Sequence, residues 1–271
     1  MSKILLIDDD PQVNEVVKAS LEMIGHAVAT AEDPETAVQL CAAVKPDLTL
    51  VDYMLPNRSG LELMEDLERV HPDSLRCLAT GMADFGLLKK ALAAGAGSML
   101  SKPYRLADLA DLIELAVLLN QALKLESELP DHDSQRVSLI CPADKAVDPA
   151  VVATLARFAK THGADAVVGD RILPLIAVEL MRNAATHGSA DVPEATYRVE
   201  LNDADDELNL TVGTSGPEFD WQKALARAQS GMQKGKAGGL QLVLALARRF
   251  GYGDGGRVAQ VVVGKNLAGE S

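Results

Sequence analysis

Residues 47–60, DLTLVDYMLPNRSG, decide the reading of the fold. The run DLTLV (47–51) is almost entirely apolar, which is how a strand covered on both faces reads. It stops at an acid, Asp52, and turn-forming residues follow at Pro56, Asn57 and Gly60. Four similar runs lie on either side: KILLI (3–7), HAVAT (26–30), LRCLA (75–79) and GSML (97–100). Helix-length segments separate them, such as Pro11–Ile24, with Pro in the first turn and Gly25 after the last. Five βα repeats of this kind predict an α/β domain with a doubly wound, five-stranded parallel sheet.

In such a sheet, ligands sit outside the carboxyl ends of the strands. The polar residues crowd there. Asp8, Asp9 and Asp10 follow the first strand, Asp52 ends the third, Thr80 ends the fourth and Lys102 follows the fifth. Close carboxylates repel unless a hard cation holds them, and Mg²⁺ prefers oxygen ligands with some waters retained. A metal beside Asp52 would orient a phosphoryl group and neutralise the charge developing on its oxygens. Lys102 would add a compact positive charge, and Thr80 a hydroxyl that donates to a phosphate oxygen.

The formal charge of the chain is −13, divided as −8 over residues 1–125 and −5 over the rest. Neither half has the basic footprint that a nucleic-acid backbone requires, so a DNA-binding output is disfavoured. Cys41, Cys77 and Cys141 are widely spaced and odd in number, which fits buried thiols in a reducing cytoplasm. The apolar stretch at the N-terminus is too short for a signal-peptide core. No run approaches the ~18 apolar residues of a membrane span.

Residues 105–128 form one long helical pattern without Gly or Pro, striped by Leu109, Leu112, Ile113, Ala116, Leu119 and Leu123. The stripe is wide enough to serve a homodimer partner or the second half of the chain as well as the sheet. Pro130 and DHDSQ (131–135) place a linker over 129–135. Beyond it the pattern predicts a strand at Val137–Cys141, helices at Pro149–His162 and Gly169–His187, and strands at Thr196–Leu201 and Leu208–Gly213. A helix at Asp220–Ser230, a helix at Gly239–Phe250 and a strand at Arg257–Val263 complete it. This order implies an α+β sandwich over 136–271.

The stretches KILLIDDDP, LVDYMLPNRSG, LATGMAD and GAGSMLSKPY together resemble the flavodoxin-like receiver domain of bacterial response regulators, over residues 1–125. The resemblance implies phosphorylation on Asp52 by a sensor histidine kinase or phosphotransfer protein, with Mg²⁺ as cofactor and autodephosphorylation as a side activity. It implies Asp9 as a direct metal ligand, Asp8 through water, and the Met54 backbone carbonyl as another ligand. Thr80 and Lys102 take the switch-hydroxyl and phosphate-lysine roles. One position departs from the family: the aromatic expected three residues before the lysine is Met99, and Tyr104 stands elsewhere.

In ILPLIAVELMRNAATHG (172–188), Glu179, Asn183 and His187 recur at four-residue spacing along one helix face. With VGTSGPEFD (212–220) and AGGLQLVLALARRFG (237–251), the second half resembles the ATPase fold of the GHKL superfamily. The nearest likeness is to anti-sigma-factor serine kinases. That resemblance implies Glu179 as general base, Asn183 as metal ligand, Gly216 as turn glycine, and Gly238 and Gly239 as phosphate-loop amides for ATP. The adenine-reading Asp of the family is Thr214 here, and a loop glycine is Glu218. Losing a charge-assisted hydrogen bond worth ~1.5–3 kcal/mol weakens binding about ten- to hundredfold. Three functions stay in view. The first is a receiver whose phosphorylation controls capture of a downstream protein partner by a degenerate ATPase fold. The second is a phospho-gated serine kinase. The third is a phosphotransfer protein, disfavoured because His132 lies in a linker rather than a helical hairpin.

Overall fold

The computed structural model describes all residues except 82–84, 144–146, 188–193, 219, 234–238 and 267–271. By its contacts the chain divides into two compact units, Met1–Gln121 and Ala122–Ser271.

In the first unit, strands β1 (Lys3–Ile7), β2 (Ala27–Ala31) and β3 (Leu48–Asp52) alternate with helices α1 (Pro11–Met23) and α2 (Pro34–Val44). A small hairpin of β4 (Met54–Leu55) and β5 (Arg58–Ser59) leads into α3 (Gly60–Val70). Strand β6 (Leu75–Thr80), α4 (Phe85–Ala93), β7 (Ser98–Ser101) and α5 (Leu106–Glu126) follow. The five long strands pair in the order β2-β1-β3-β6-β7, all parallel. Every residue of β3 and β6 is buried, so both faces of the sheet are covered, as the apolar runs predicted. Helices start where the chain supplies caps. Asp10 and Asp33 cap α1 and α2, each followed by Pro in the first turn, and Ser59 with Glu62 forms a capping box on α3.

The second unit holds an antiparallel sheet of β8 (Arg136–Pro142), β9 (Thr196–Ala204), β10 (Glu207–Thr214), β11 (Arg249–Gly253) and β12 (Val258–Gly264), in the order β11-β12-β10-β9-β8. Helices α6 (Pro149–Thr161), α7 (Leu173–His187), α8 (Trp221–Gln233) and α9 (Leu240–Leu246) complete the unit. Strands β9 and β10 alternate buried and less buried positions, one face turned to the core beneath α7. This is the expected α+β sandwich.

Two expectations are corrected here. The helix expected over Gly239–Phe250 stops at Leu246, and residues 249–253 form β11 against β12. Phe250 and Tyr252 join Trp221 in an aromatic group with ring centroids 5.2 and 6.1 Å apart, and that packing with the ladder outweighs local helix preference. The helix expected from Gly169 instead opens with a π turn over Val168–Ile172, in which the Leu173 N–H donates to the Val168 carbonyl, and becomes α-helical at Leu173. No helix among the described residues is long and apolar enough to cross a membrane.

Phe158 on α6 is fully buried and stacks on His162 at 4.1 Å. Phe158→Ala is expected to destabilise the second unit by about 3–5 kcal/mol. Urea titration followed by hydrogen exchange over 136–266 would measure this, with residues 1–121 keeping their protection.

Candidate functional site: an acidic pocket at the sheet's carboxyl edge

Strand β1 ends at Ile7 beside β3, so Asp8 and Asp9 leave the sheet next to Asp52. Oxygens of Asp8, Asp9 and Asp52 lie within 4.8 Å of one another. Asp8 is only 1% exposed and Asp52 only 6%, whereas Asp9 faces solvent. Two buried carboxylates this close need a counter-charge. Lys102 supplies it: its Nζ lies 2.6 Å from Asp8 Oδ2 and 2.9 Å from Asp52 Oδ2.

Burial holds the Asp52 carboxyl above the usual aspartate range. The Lys102 hydrogen bond and charge pull it back, Asp8 pushes it up, and the Met54 backbone N–H stabilises its anion. Lys102 is displaced upward; burial works against its charge, but Asp8 and Asp52 together outweigh burial.

The backbone positions the rest. The Lys102 N–H donates to the Thr80 carbonyl at 2.9 Å, joining the ends of β6 and β7, and Thr80 is buried. A Cβ on Gly60 would lie 2.0 Å from the Asp52 carbonyl oxygen, so only glycine lets α3 begin this close to the acceptor strand. Met54 is largely exposed on β4, two residues beyond Asp52.

Two further side chains were given no role by the sequence. The Asn14 Nδ2 donates to the Asp8 carbonyl at 2.8 Å, holding the loop after β1 from the first turns of α1. The Tyr104 ring centre is 5.9 Å from Lys102 Nζ, and its buried hydroxyl has no hydrogen-bond partner among the described residues. The Asn14 contact leaves no pattern signal. Tyr104 was visible only as an aromatic two residues beyond Lys102.

In the second unit the expected nucleotide residues converge in part. Asn183 and Thr214 line one cavity of about 130 Å³, with Leu180, Val212, Leu240 and Tyr252 as its apolar walls. A Cβ on Gly239 would come 3.9 Å from Glu179 Oε2, and the Asn183 Nδ2 is buried without a partner among the described residues. The Thr214 Oγ1 accepts from the Gly216 N–H at 3.1 Å. Arg257 ties this loop down: its Nε donates to the Gly216 carbonyl at 3.2 Å, and its guanidinium pairs with Glu218 at 3.1 Å. Glu218, at a loop-glycine position, is thus held in an ion pair. Gly238 lies outside the described residues.

Residues 4–114 match the response regulator receiver domain, and residues 141–263 match the histidine kinase-like ATPase domain. The chain is a response regulator receiver domain followed by a histidine kinase-like ATPase domain. It is similar to response regulator MprA of Mycolicibacterium vanbaalenii, at 30% identity over 147 residues, covering 54% of this chain and 60% of the relative. It is also similar to response regulator protein PilR of Pseudomonas aeruginosa, at 32% identity over 117 residues, covering 43% and 26%. A solved CheY-like receiver domain from Methanospirillum hungatei shares 29% identity, covering 42% of this chain and 91% of that one, with a TM-score of 0.40. The chain thus spans three-fifths or less of the length of these two curated relatives.

Removing the Lys102 charge should leave Asp8 and Asp52 facing each other. A carboxyl whose folded-state pKa is raised adds stability at low pH and loses it as pH rises through that value. In metal-free buffer, the stability deficit of Lys102→Met against wild type should therefore grow from acid toward neutral pH, reaching about 1.5–3 kcal/mol. Urea midpoints across pH test this. A deficit independent of pH would show that the ammonium does not compensate the two carboxylates.

Proposed function

We propose that the chain is a phosphorylation-dependent switch in which Asp52 accepts a phosphoryl group and the histidine kinase-like domain answers by changing its hold on a protein partner. The observation that supports this reading is the shared ammonium: Lys102 bridges Asp8 and Asp52 beside a third acid, Asp9. The donor set fits Mg²⁺: three carboxylates within reach of one point, with the Met54 carbonyl as the fourth candidate oxygen. Bound there, Mg²⁺ would neutralise charge on the phosphoryl oxygens.

The chain's own residues do the rest. An Asp52 oxygen attacks phosphorus, and the bond from phosphorus to the donor, a phosphohistidine nitrogen or the acyl oxygen of acetyl phosphate, breaks in line. Lys102 turns its ammonium from Asp52 to the new phosphoryl oxygens, and the Thr80 hydroxyl donates to one of them. The donor in a cell would be a sensor histidine kinase or a phosphotransfer protein. The acidity of both halves speaks against nucleic acid as the target. With these roles the protein would act in the cytoplasm.

The second domain fits ATP on one side only. Glu179 and Gly239 lie close together, and the Asn183 Nδ2, buried without a partner among the described residues, supports a ligand there. On the base side a hydroxyl replaces a carboxylate, and it already accepts from Gly216. Partner capture is therefore the first reading, and an ATP-dependent serine kinase of anti-sigma-factor type is the second.

Acetyl phosphate with Mg²⁺ is expected to add one base-labile phosphate, read by intact mass, which disappears in Asp52→Asn. Equal labelling of the variant would move the acceptor elsewhere. Calorimetry of the full chain is expected to give Mg-ATP affinity no better than roughly high micromolar, with Thr214→Asp gaining about tenfold. Tight wild-type binding with turnover abolished by Glu179→Ala would make the protein a kinase.

A further inference from the structure

Helix α5 is continuous from Leu106 to Glu126. Its residues through Gln121 belong to the first unit, and its last turn, Ala122–Glu126, belongs to the second. It ends on an unusual residue: Glu126 is only 5% exposed. Carboxylates are rarely buried so deeply unless paired. Lys160 on α6 meets it at 2.7 Å, and Arg157, one turn earlier, at 3.4 Å.

Lys160 does not stop at Glu126. Its Nζ also lies 2.8 Å from Asp170 Oδ1, within ion-pair distance though off the direction of a good hydrogen bond. Asp170 sits in the π turn from which α7 begins. The aliphatic stem of Lys160 lies across that turn as well, since a Cβ on Gly169 would come 2.6 Å from Lys160 Cγ. A π turn holds more residues per turn than an α turn, so its register sets the rotational phase of the helix that follows. Along that helix, nine and thirteen residues beyond Asp170, stand Glu179 and Asn183.

We propose that the chain Glu126–Lys160–Asp170 couples the state of the receiver to the Glu179–Asn183 face of α7. A single ammonium holds the carboxylate at the end of α5 and the carboxylate of the π turn. A displacement or fraying of the α5 end withdraws Glu126 from Lys160, loosens its hold on Asp170, and lets the start of α7 change register. Lys160 and Asp170 are positioning residues; neither would touch a ligand. This inference rests on the proposed control of the second domain by Asp52.

The test uses the full chain with beryllofluoride and Mg²⁺ standing in for the phosphorylated aspartate, read by hydrogen exchange. In the wild type, amides over 165–187 are expected to change protection about fivefold or more, the lower end of ordinary coupling between sites. In Glu126→Gln and Lys160→Met that change should vanish, while peptides over 75–81 and 98–104 respond as in the wild type. Asp131→Asn, which removes the charge paired with Arg157 at 2.7 Å and leaves an oxygen to accept from Thr161, should leave it intact. If Lys160→Met raises exchange throughout 136–266 before any addition, Glu126→Gln and Asp170→Asn decide the matter. A response over 165–187 that persists in these variants would overturn the coupling route and leave the proposed function standing. A wild type whose receiver responds while its second domain does not would overturn both.

Discussion

The first unit is organised around the burial of two like charges. Asp8 and Asp52 lie at the ends of adjacent parallel strands, almost without solvent, and their repulsion would open the edge of the sheet if nothing answered it. One ammonium at 2.6 and 2.9 Å answers both. That geometry constrains much of what surrounds it. The order β2-β1-β3-β6-β7 brings the first and third strand ends side by side and leads the chain out of β7 to Lys102. Asn14 fixes the loop carrying Asp8, and the missing side chain of Gly60 lets α3 close on the Asp52 carbonyl. With one ammonium among three carboxylates the pocket remains anionic, Asp9 facing solvent, a state that a hard cation would relieve further.

How much was legible follows from where the information lies. Strand ends are local: an apolar run that stops at an acid announces both a buried strand and a polar residue at its edge. Asp8, Asp9, Asp52, Thr80 and Lys102 were therefore readable together, and the structure brings the three acids and the lysine into one pocket. Contacts made by the fold alone were not. The Asn14 amide meets a carbonyl across a turn, and Arg257 reaches Gly216 and Glu218 from about forty residues away. The partner of Glu218 is Arg257, just before β12 and distant in sequence, so no local pattern announced the pair. Strand β11 was hidden because LQLVLALARRF reads as one helix, and only the ladder with β12 and the packing of Phe250 and Tyr252 end that helix. The π turn before α7 has no composition signal, since its residues would fit an α turn as well.

The two candidate sites are unequal, and the inequality bears on how they would work together. The receiver pocket has three carboxylates and one ammonium brought together. The second site keeps the face of α7 and an apolar cavity of about 130 Å³, while its base-side loop is tied to Arg257 and Thr214. Coupling between sites ordinarily amounts to about 1–3 kcal/mol, or five- to 150-fold. Against a tightly bound nucleotide, a bias of that size would leave a saturated site saturated. Against a weakened site it decides occupancy, because a ligand or partner that binds one state better moves the population by its differential affinity alone. Linkage runs both ways: whatever binds the favoured register of α7 would, by the same free energy, favour the phosphorylated receiver. Under the proposed control by Asp52, a hydroxyl at Thr214, where the resemblance implies a carboxylate, fits a domain governed by its neighbour more than by nucleotide.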